Sequence, residues 1–193
     1  MSFQIETGRL IVRDVQEDDI PNLVKQFAEP EARQNILSFQ ADEIYNKNEL
    51  EKAMAWARER RRPYYKLSVE LKGGGDLIGC CNLSDAERDG FETSLGWHYG
   101  HRFRGNGYAT EVARAMLDFA FEFVEVNEVF ADCFTGNLAS IRIIEKIGMS
   151  STLNSGLFNI IRGWSYGENK PTIRHTISRH EWREQIKHLR RDG

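Results

Sequence analysis

Apolar residues recur along this chain with two periods, and the switches between them mark out the elements. Leu10 and Val12 alternate with Arg9 and Arg13, which predicts a strand over 9–15. Ile20, Leu23, Val24 and Phe27 follow at helical spacing; Asp18 or Asp19 can cap this helix, and Pro21 suits its first turn. A second helix is predicted over 49–62. It ends in Arg58-Glu59-Arg60-Arg61-Arg62, where cations complement the helix C-terminus, and Pro63 stops it. Tyr65, Leu67, Val69 and Leu71 alternate with polar residues, Gly73-Gly74-Gly75-Asp76 makes a turn, and Leu77, Gly79, Cys81 and Leu83 resume the strand period. This is a hairpin. Beyond a polar loop at 84–91, a strand over 92–99 places Thr93, Leu95, Trp97 and Tyr99 on one face.

After residue 109 the period changes again. Ala113, Met116, Leu117, Ala120 and Val124 form a helical stripe, a short strand follows near 128–134, and Asn137 to Lys146 makes another helix that ends at Gly148. Two strands near 156–165 and 172–178 complete the sheet. The order β, α, α, β, β, β, α, β, α, β, β predicts an α/β (α+β) fold, a mixed sheet with helices packed on it, with residues 1–193 as a single domain. The strand–helix–strand crossover over 92–134 is expected to be parallel and right-handed.

Composition narrows the function classes. Hydrophobic residues make up 40% and charged residues 28%, an ordinary globular balance, and a chain of 193 residues buries enough surface to fold without disulfides or metal. A net charge of −3 disfavours broad nucleic-acid binding, and the basic run Arg58–Arg62, interrupted by Glu59, reads as a solvated helix end. Cys80, Cys81 and Cys133 are odd in number and lack metal-ligand spacing, so neither a disulfide framework nor a metal site is expected. The start Met-Ser-Phe-Gln-Ile-Glu has no secretory pattern and no apolar run nears the length of a membrane span. A reduced, cytoplasmic protein with no membrane or nucleic-acid partner is the expectation.

The most informative segment is Arg104-Gly105-Asn106-Gly107-Tyr108-Ala109, between a strand ending near Tyr99 and a helix beginning near Thr110. Small residues let the backbone turn tightly, and its N–H groups with the positive helix end suit an anion. Arg104 can add a charge-assisted contact to phosphate. A plain strand-to-helix connection remains the alternative. The Rossmann pattern fails because the turn lies past mid-chain with Thr at 110, and no Gly-Lys-Ser/Thr follows for a Walker loop.

Arg104-Gly105-Asn106-Gly107-Tyr108-Ala109-Thr110-Glu111 resembles the R-G-x-G-x-A signature of the GCN5-related N-acetyltransferase (GNAT) family, specifically its ribosomal-protein-alanine N-acetyltransferase (RimJ/RimL-like) branch. Thr7-Gly8-Arg9-Leu10-Ile11-Val12-Arg13 is similar to that branch's opening strand. Asn137-Leu138-Ala139-Ser140 with Glu145-Lys146-Ile147-Gly148-Met149 is similar to its late helix, and Ser178-Arg179-His180-Glu181-Trp182 to its closing segment. The resemblance implies a mixed, mostly antiparallel sheet with acetyl-CoA, the co-substrate, in a splay between two parallel strands. It also implies cofactor contacts from Trp97, Tyr99, Arg104, Gly105, Asn106, Gly107, Tyr108, Ala109, Thr110 and Asn137. Asn137 can equally be a plain N-cap.

In that family a helix hydroxyl protonates the departing thiolate; the resemblance assigns this to Ser140, whose alternative is a bond to its own backbone. The sequence departs from the branch before the phosphate turn, where Ser94 stands, so Glu92 is the first candidate base and His98 the second. Cys133, in a predicted buried strand, reads as packing rather than a nucleophile. Direct transfer to a primary amine, on a protein N-terminus or a small molecule, is therefore expected, by a monomer or homodimer. The alternative is an inactive module that senses acetyl-CoA. Arg33, Phe39, Tyr45, Phe158, Trp164 and Tyr166, from 28–45 and 152–170, are the expected acceptor side.

Overall fold

The computed structural model describes residues 3–30, 32, 43–59, 62–84, 91–151 and 172–189. Strand β1 (Gln4–Glu6) pairs antiparallel with β2 (Leu10–Asp14), in which Leu10 and Val12 are fully buried. A 3-10 turn at Glu17–Asp19 leads into α1 (Ile20–Phe27), whose Ile20, Leu23, Val24 and Phe27 form the buried stripe that their spacing predicts. Helix α2 (Glu43–Trp56) precedes the hairpin β3 (Tyr64–Leu71) and β4 (Leu77–Ser84), and then β5 (Glu92–Tyr99). Helix α3 (Tyr108–Phe119) runs into a π-helical turn (Ala120–Val124) that Glu125 closes at φ 63°. Strand β6 (Glu128–Phe134), α4 (Leu138–Lys146), β7 (Ser150–Ser151), β8 (Thr172–Ser178) and α5 (Arg179–Leu189) finish the chain.

Among the described residues the strands form one sheet in the order β1-β2-β3-β4-β5-β6-β8-β7. Every pair is antiparallel except the central β5–β6, which α3 connects. One face carries the larger core: Leu10, Val12, Val69, Leu83, Leu95 and Val129 pack beneath Val112, Ala113 and Met116 of α3, Ile144 of α4 and Trp182 of α5. On the other face Leu77 and Cys80 meet Leu23, Val24 and Phe27 of α1 and Leu50 of α2. Apolar area buried on both faces explains why β4 is buried along most of its length rather than alternating.

The parallel pair is short. Its ladder holds only Glu92↔Glu128, Thr93↔Val129 and Ser94↔Phe130, after which β5 keeps its bonds to β4 and β6 its bonds to β8. A cleft therefore opens inside the sheet toward the C-terminal ends of β5 and β6.

Several elements differ from the sequence reading. The second helix spans Glu43–Trp56 rather than 49–62, so the basic run lies beyond it. Arg62 is not a solvated helix residue: its Nη2 donates to Asp14 Oδ2 at 3.1 Å, and its guanidinium lies over Phe3 and Tyr65. The short β1 and β7 and the C-terminal α5 were not predicted. Helix α5 is weakly apolar and is held by polar anchors: Arg179 Nη2 donates to the Val126 carbonyl at 2.8 Å and Trp182 Nε1 to Asp118 at 2.9 Å. The strand expected near 156–165 lies outside the described residues.

Asp19 does not cap α1 with its side chain either. Its carboxylate is taken by Arg13 at 2.6 and 2.9 Å, by the Gln16 N–H at 2.8 Å and by Ser68 Oγ at 2.7 Å, which fastens the start of α1 to β2 and β3. Burial works to raise the Asp19 pKa, but these donors outweigh it and hold the carboxyl below its ordinary value. A folded pKa below the unfolded one means that the contribution is present above about pH 4 and is lost as pH falls through the folded value. Asp19→Asn is expected to lower the unfolding free energy by about 3 kcal/mol at pH 7. In urea titrations the gap from the parent should narrow once the pH drops below about 4, and a pH-independent gap would contradict this role.

Candidate active site

Because β5 and β6 are parallel, their C-terminal ends lie at the same edge of the sheet, where open α/β sheets receive ligands. From β5 the chain passes a 3-10 turn (His101–Phe103) and then Arg104–Gly107 before α3; from β6 it passes Thr135–Gly136 to Asn137 and α4.

The first of these turns is built by its own side chains. Gly105 and Gly107 have φ of 80° and 78°, the left-handed region that glycine enters without strain. Asn106 Nδ2 donates to the Phe103 and Arg104 carbonyls at 3.1 and 3.2 Å, closing the loop from within. Arg104 Nε donates to the Tyr99 carbonyl at 3.0 Å, tying the turn to the end of β5. Helix α3 begins its bonding only at Glu111 N–H to Gly107 O, 3.1 Å. The N–H groups of Gly105, Asn106, Gly107, Tyr108, Ala109 and Thr110 thus find no acceptor among the described residues. Gathered at the positive end of a helix, they form a nest for an anion.

A brace from the turn between β1 and β2 holds this turn, and the sequence reading missed it. Glu111 accepts from Thr7 Oγ1 at 2.6 Å, Arg9 N–H at 2.8 Å and Arg9 Nε at 2.7 Å. Arg9 Nη1 also donates to the Asn106 carbonyl at 3.0 Å, with its guanidinium 4.6 Å from the centre of the Tyr108 ring. Burial alone would raise the Glu111 pKa, but Thr7 and Arg9 outweigh it, so the carboxylate stays charged. The available signal was the paired presence of Thr7-Gly8-Arg9 and Thr110-Glu111, which the structure brings into contact.

The other candidates fall around the cleft. Tyr99 is buried and Trp97 partly buried on the α3 face, so their side chains belong to the core and only their backbone borders the opening. Asn137 Oδ1 accepts from Ser140 N–H at 3.2 Å, as an N-cap does, while its Nδ2 has no partner among the described residues. Ser140 Oγ makes no hydrogen bond among the described residues, so the hydroxyl is not spent on its own backbone. Glu92 and His98 share the α1/α2 face of β5 on opposite sides of the point where pairing stops. Glu92 neighbours Glu128, whose pKa burial raises and Glu92 and Glu181 raise further. His98 is buried, with Nε2 3.2 Å from the Gln26 carbonyl; burial first, then Arg104, bring its pKa down to about 4, so the ring is neutral at pH 7.

Cys80, Cys81 and Cys133 are all buried thiols, and burial with Asp132 pushes Cys133 up to about 11. Among the described residues no helix is long and apolar enough to cross a membrane. Of the expected acceptor residues Tyr45 lies on α2; Arg33, Phe39, Phe158, Trp164 and Tyr166 lie outside the described residues.

Comparison with known proteins agrees with this architecture. The Acetyltransferase (GNAT) domain family matches residues 9–150. An uncharacterized protein of Bacillus subtilis, YkkB, is 34% identical over 117 residues, covering 58% of this chain and 62% of its own length. A GNAT-family acetyltransferase from Bacillus anthracis superposes with a TM-score of 0.75 at 22% identity, covering 93% of this chain and all of that one. The spermidine N-acetyltransferase of Vibrio cholerae, solved with CoA and spermine, superposes with a TM-score of 0.73 at 14% identity, covering 90% and 97%. The turn at 104–109, the splayed parallel pair and the family match over most of the chain lead to one statement: this chain belongs to the GNAT family of acetyl-CoA-dependent acyltransferases.

Proposed function

We propose that this chain transfers the acetyl group of acetyl-CoA to a primary amine by direct attack in a ternary complex. The observation that carries the reading is the run of N–H groups from Gly105 to Thr110 that find no acceptor among the described residues, set at the end of β5 beside the opened parallel pair. Those donors fit a pyrophosphate, and Arg104 stands beside them to add a charged contact. When bound there, acetyl-CoA supplies an activated thioester.

The remaining chemistry belongs to the chain. The carbonyl carbon gains a bond to nitrogen and loses its bond to sulfur, so one proton must leave the amine and one must reach the thiolate. Ser140, in the first turn of α4 with a hydroxyl that makes no hydrogen bond among the described residues, is assigned the second task. Glu92, a carboxylate on the acceptor face, is assigned the first through intervening water. His98, held by Gln26 and neutral, is a poor base because burial and Arg104 bring its pKa down to about 4. The buried cysteines lack the depressed pKa of a nucleophilic thiol, which supports direct attack over an acyl-enzyme. Asn137 orients Ser140 through its N-cap and offers its amide to the cofactor's polar arm.

Calorimetry with acetyl-CoA and thiol-release assays over an amine panel test the reading together. Gly107→Glu should abolish acetyl-CoA binding, since it places a strained backbone and a negative charge in the nest; unchanged affinity would sink the phosphate assignment. Arg9→Ala loosens the brace while leaving every N–H group of the nest in place, and the acetyl-CoA Kd should rise about fivefold, ~1 kcal/mol for an exposed pair. Ser140→Ala should lower kcat about a hundredfold with little change in acetyl-CoA affinity, whereas equal rates would make Ser140 structural.

A further inference from the structure

The α1/α2 face of the sheet holds a cation that the transfer chemistry does not use. Lys66 lies in β3, opposite Asn82 of β4, which in turn lies opposite Gly96 of β5. Gly96 is just past Ser94, the last β5 residue paired with β6, so this row ends at the mouth of the opening. Two strand spacings put the Lys66 backbone about 10 Å from Gly96, a gap that a lysine side chain spans more than half way. The Asn82 side chain lies over Gly96: a Cβ there would stand 2.8 Å from Asn82 Oδ1.

The ammonium is confined, and no described residue forms an ion pair with it. Its Nζ lies 5.2 Å from the centre of the Phe27 ring, and that ring lies 5.1 Å from the His98 ring. Lys66 is partly buried and makes no hydrogen bond or ion pair among the described residues. The titratable groups around it are Tyr64 on its own strand, Cys80 and His98 on the next two, and Tyr45 and Glu49 on α2. Glu49 is already held by Lys52 at 2.7 Å, and two other cations on this face are committed, Arg13 to Asp19 and Glu70 and Arg174 to Asp132. Burial works against the Lys66 charge; Tyr64, Cys80, Glu49 and Tyr45 outweigh it, and its pKa lies above the ordinary lysine value.

A partly buried ammonium that forms no ion pair among the described residues favours an anionic guest and disfavours a second cation. One ammonium balances the single charge of a carboxylate but leaves a phosphate dianion with net charge to bury, so a carboxylate is the better match. Resting on the transferase reading above, we infer that the acceptor is a small amine that also carries a carboxylate, and that Lys66 is the residue that selects it.

The test compares amino acids with their amides in thiol-release assays. In parallel, N-acetyl amino acids and N-acetyl amino amides are titrated by calorimetry into protein saturated with CoA. At least one acid should exceed its amide by about tenfold in kcat/KM and in product affinity, as a charge-assisted contact would give. Lys66→Met should erase that preference while leaving the acetyl-CoA Kd unchanged, and Lys66→Arg should retain it. Equal acids and amides, a preference that survives Lys66→Met, or spermine as the best acceptor would overturn the inference while leaving the transferase reading intact. Selective binding of N-acetyl acids without turnover on any amine would support the Lys66 site and overturn the transferase reading instead.

Discussion

The site depends on one interruption: β5 and β6 stop pairing after Ser94 and Phe130. An interior parallel pair normally hides its backbone groups. Here the β6-facing backbone of β5 from Gly96 to Tyr99 is left without a strand partner, an edge created inside a sheet rather than at its border. An extended ligand bearing amides can take the place of the missing strand by the same hydrogen bonding that builds sheets. The separation is sustained because each strand stays fully paired on its outer side, β5 with β4 and β6 with β8.

The second constraint is long-range. The anion nest is an exposed turn closed by left-handed glycines, and an exposed turn alone would sample several shapes. Thr7 and Arg9, on the chain just before β2, reach across to Glu111 and Asn106 and fix it. Arg9 spends its charge on Glu111 and a second donor, Nη1, on the carbonyl side of the turn, which leaves the N–H side without an acceptor among the described residues. The turn between β1 and β2 is thus part of the site, although none of its residues is assigned a contact with the cofactor.

Much of this was legible from residues alone, and the failures have physical causes. Strands with one apolar face, such as β2 and β5, and the stripe of α1 announced themselves by period. Helix α5 did not, because its position rests on Arg179, Trp182 and their distant acceptors rather than on a continuous apolar face. Asp19 looked like a cap because aspartate before Ile20-Pro21 is good capping chemistry; its partners Arg13 and Ser68 become neighbours only when the sheet forms. Lys66 could not be singled out in an alternating strand, since its lack of an ion pair among the described residues is a property of the folded face. The phosphate turn was readable because its function is carried by local backbone geometry.

The most direct measurement of the central claim is amide NMR of isotopically labelled protein titrated with CoA. The account predicts the largest shifts, and slowed hydrogen exchange, at the N–H groups of Gly105 through Thr110, with smaller changes along Gly96–Tyr99. Saturation that leaves the amides of this turn unmoved, with the shifts gathered elsewhere, would show that the splayed strands and their glycine turn are not where the cofactor binds.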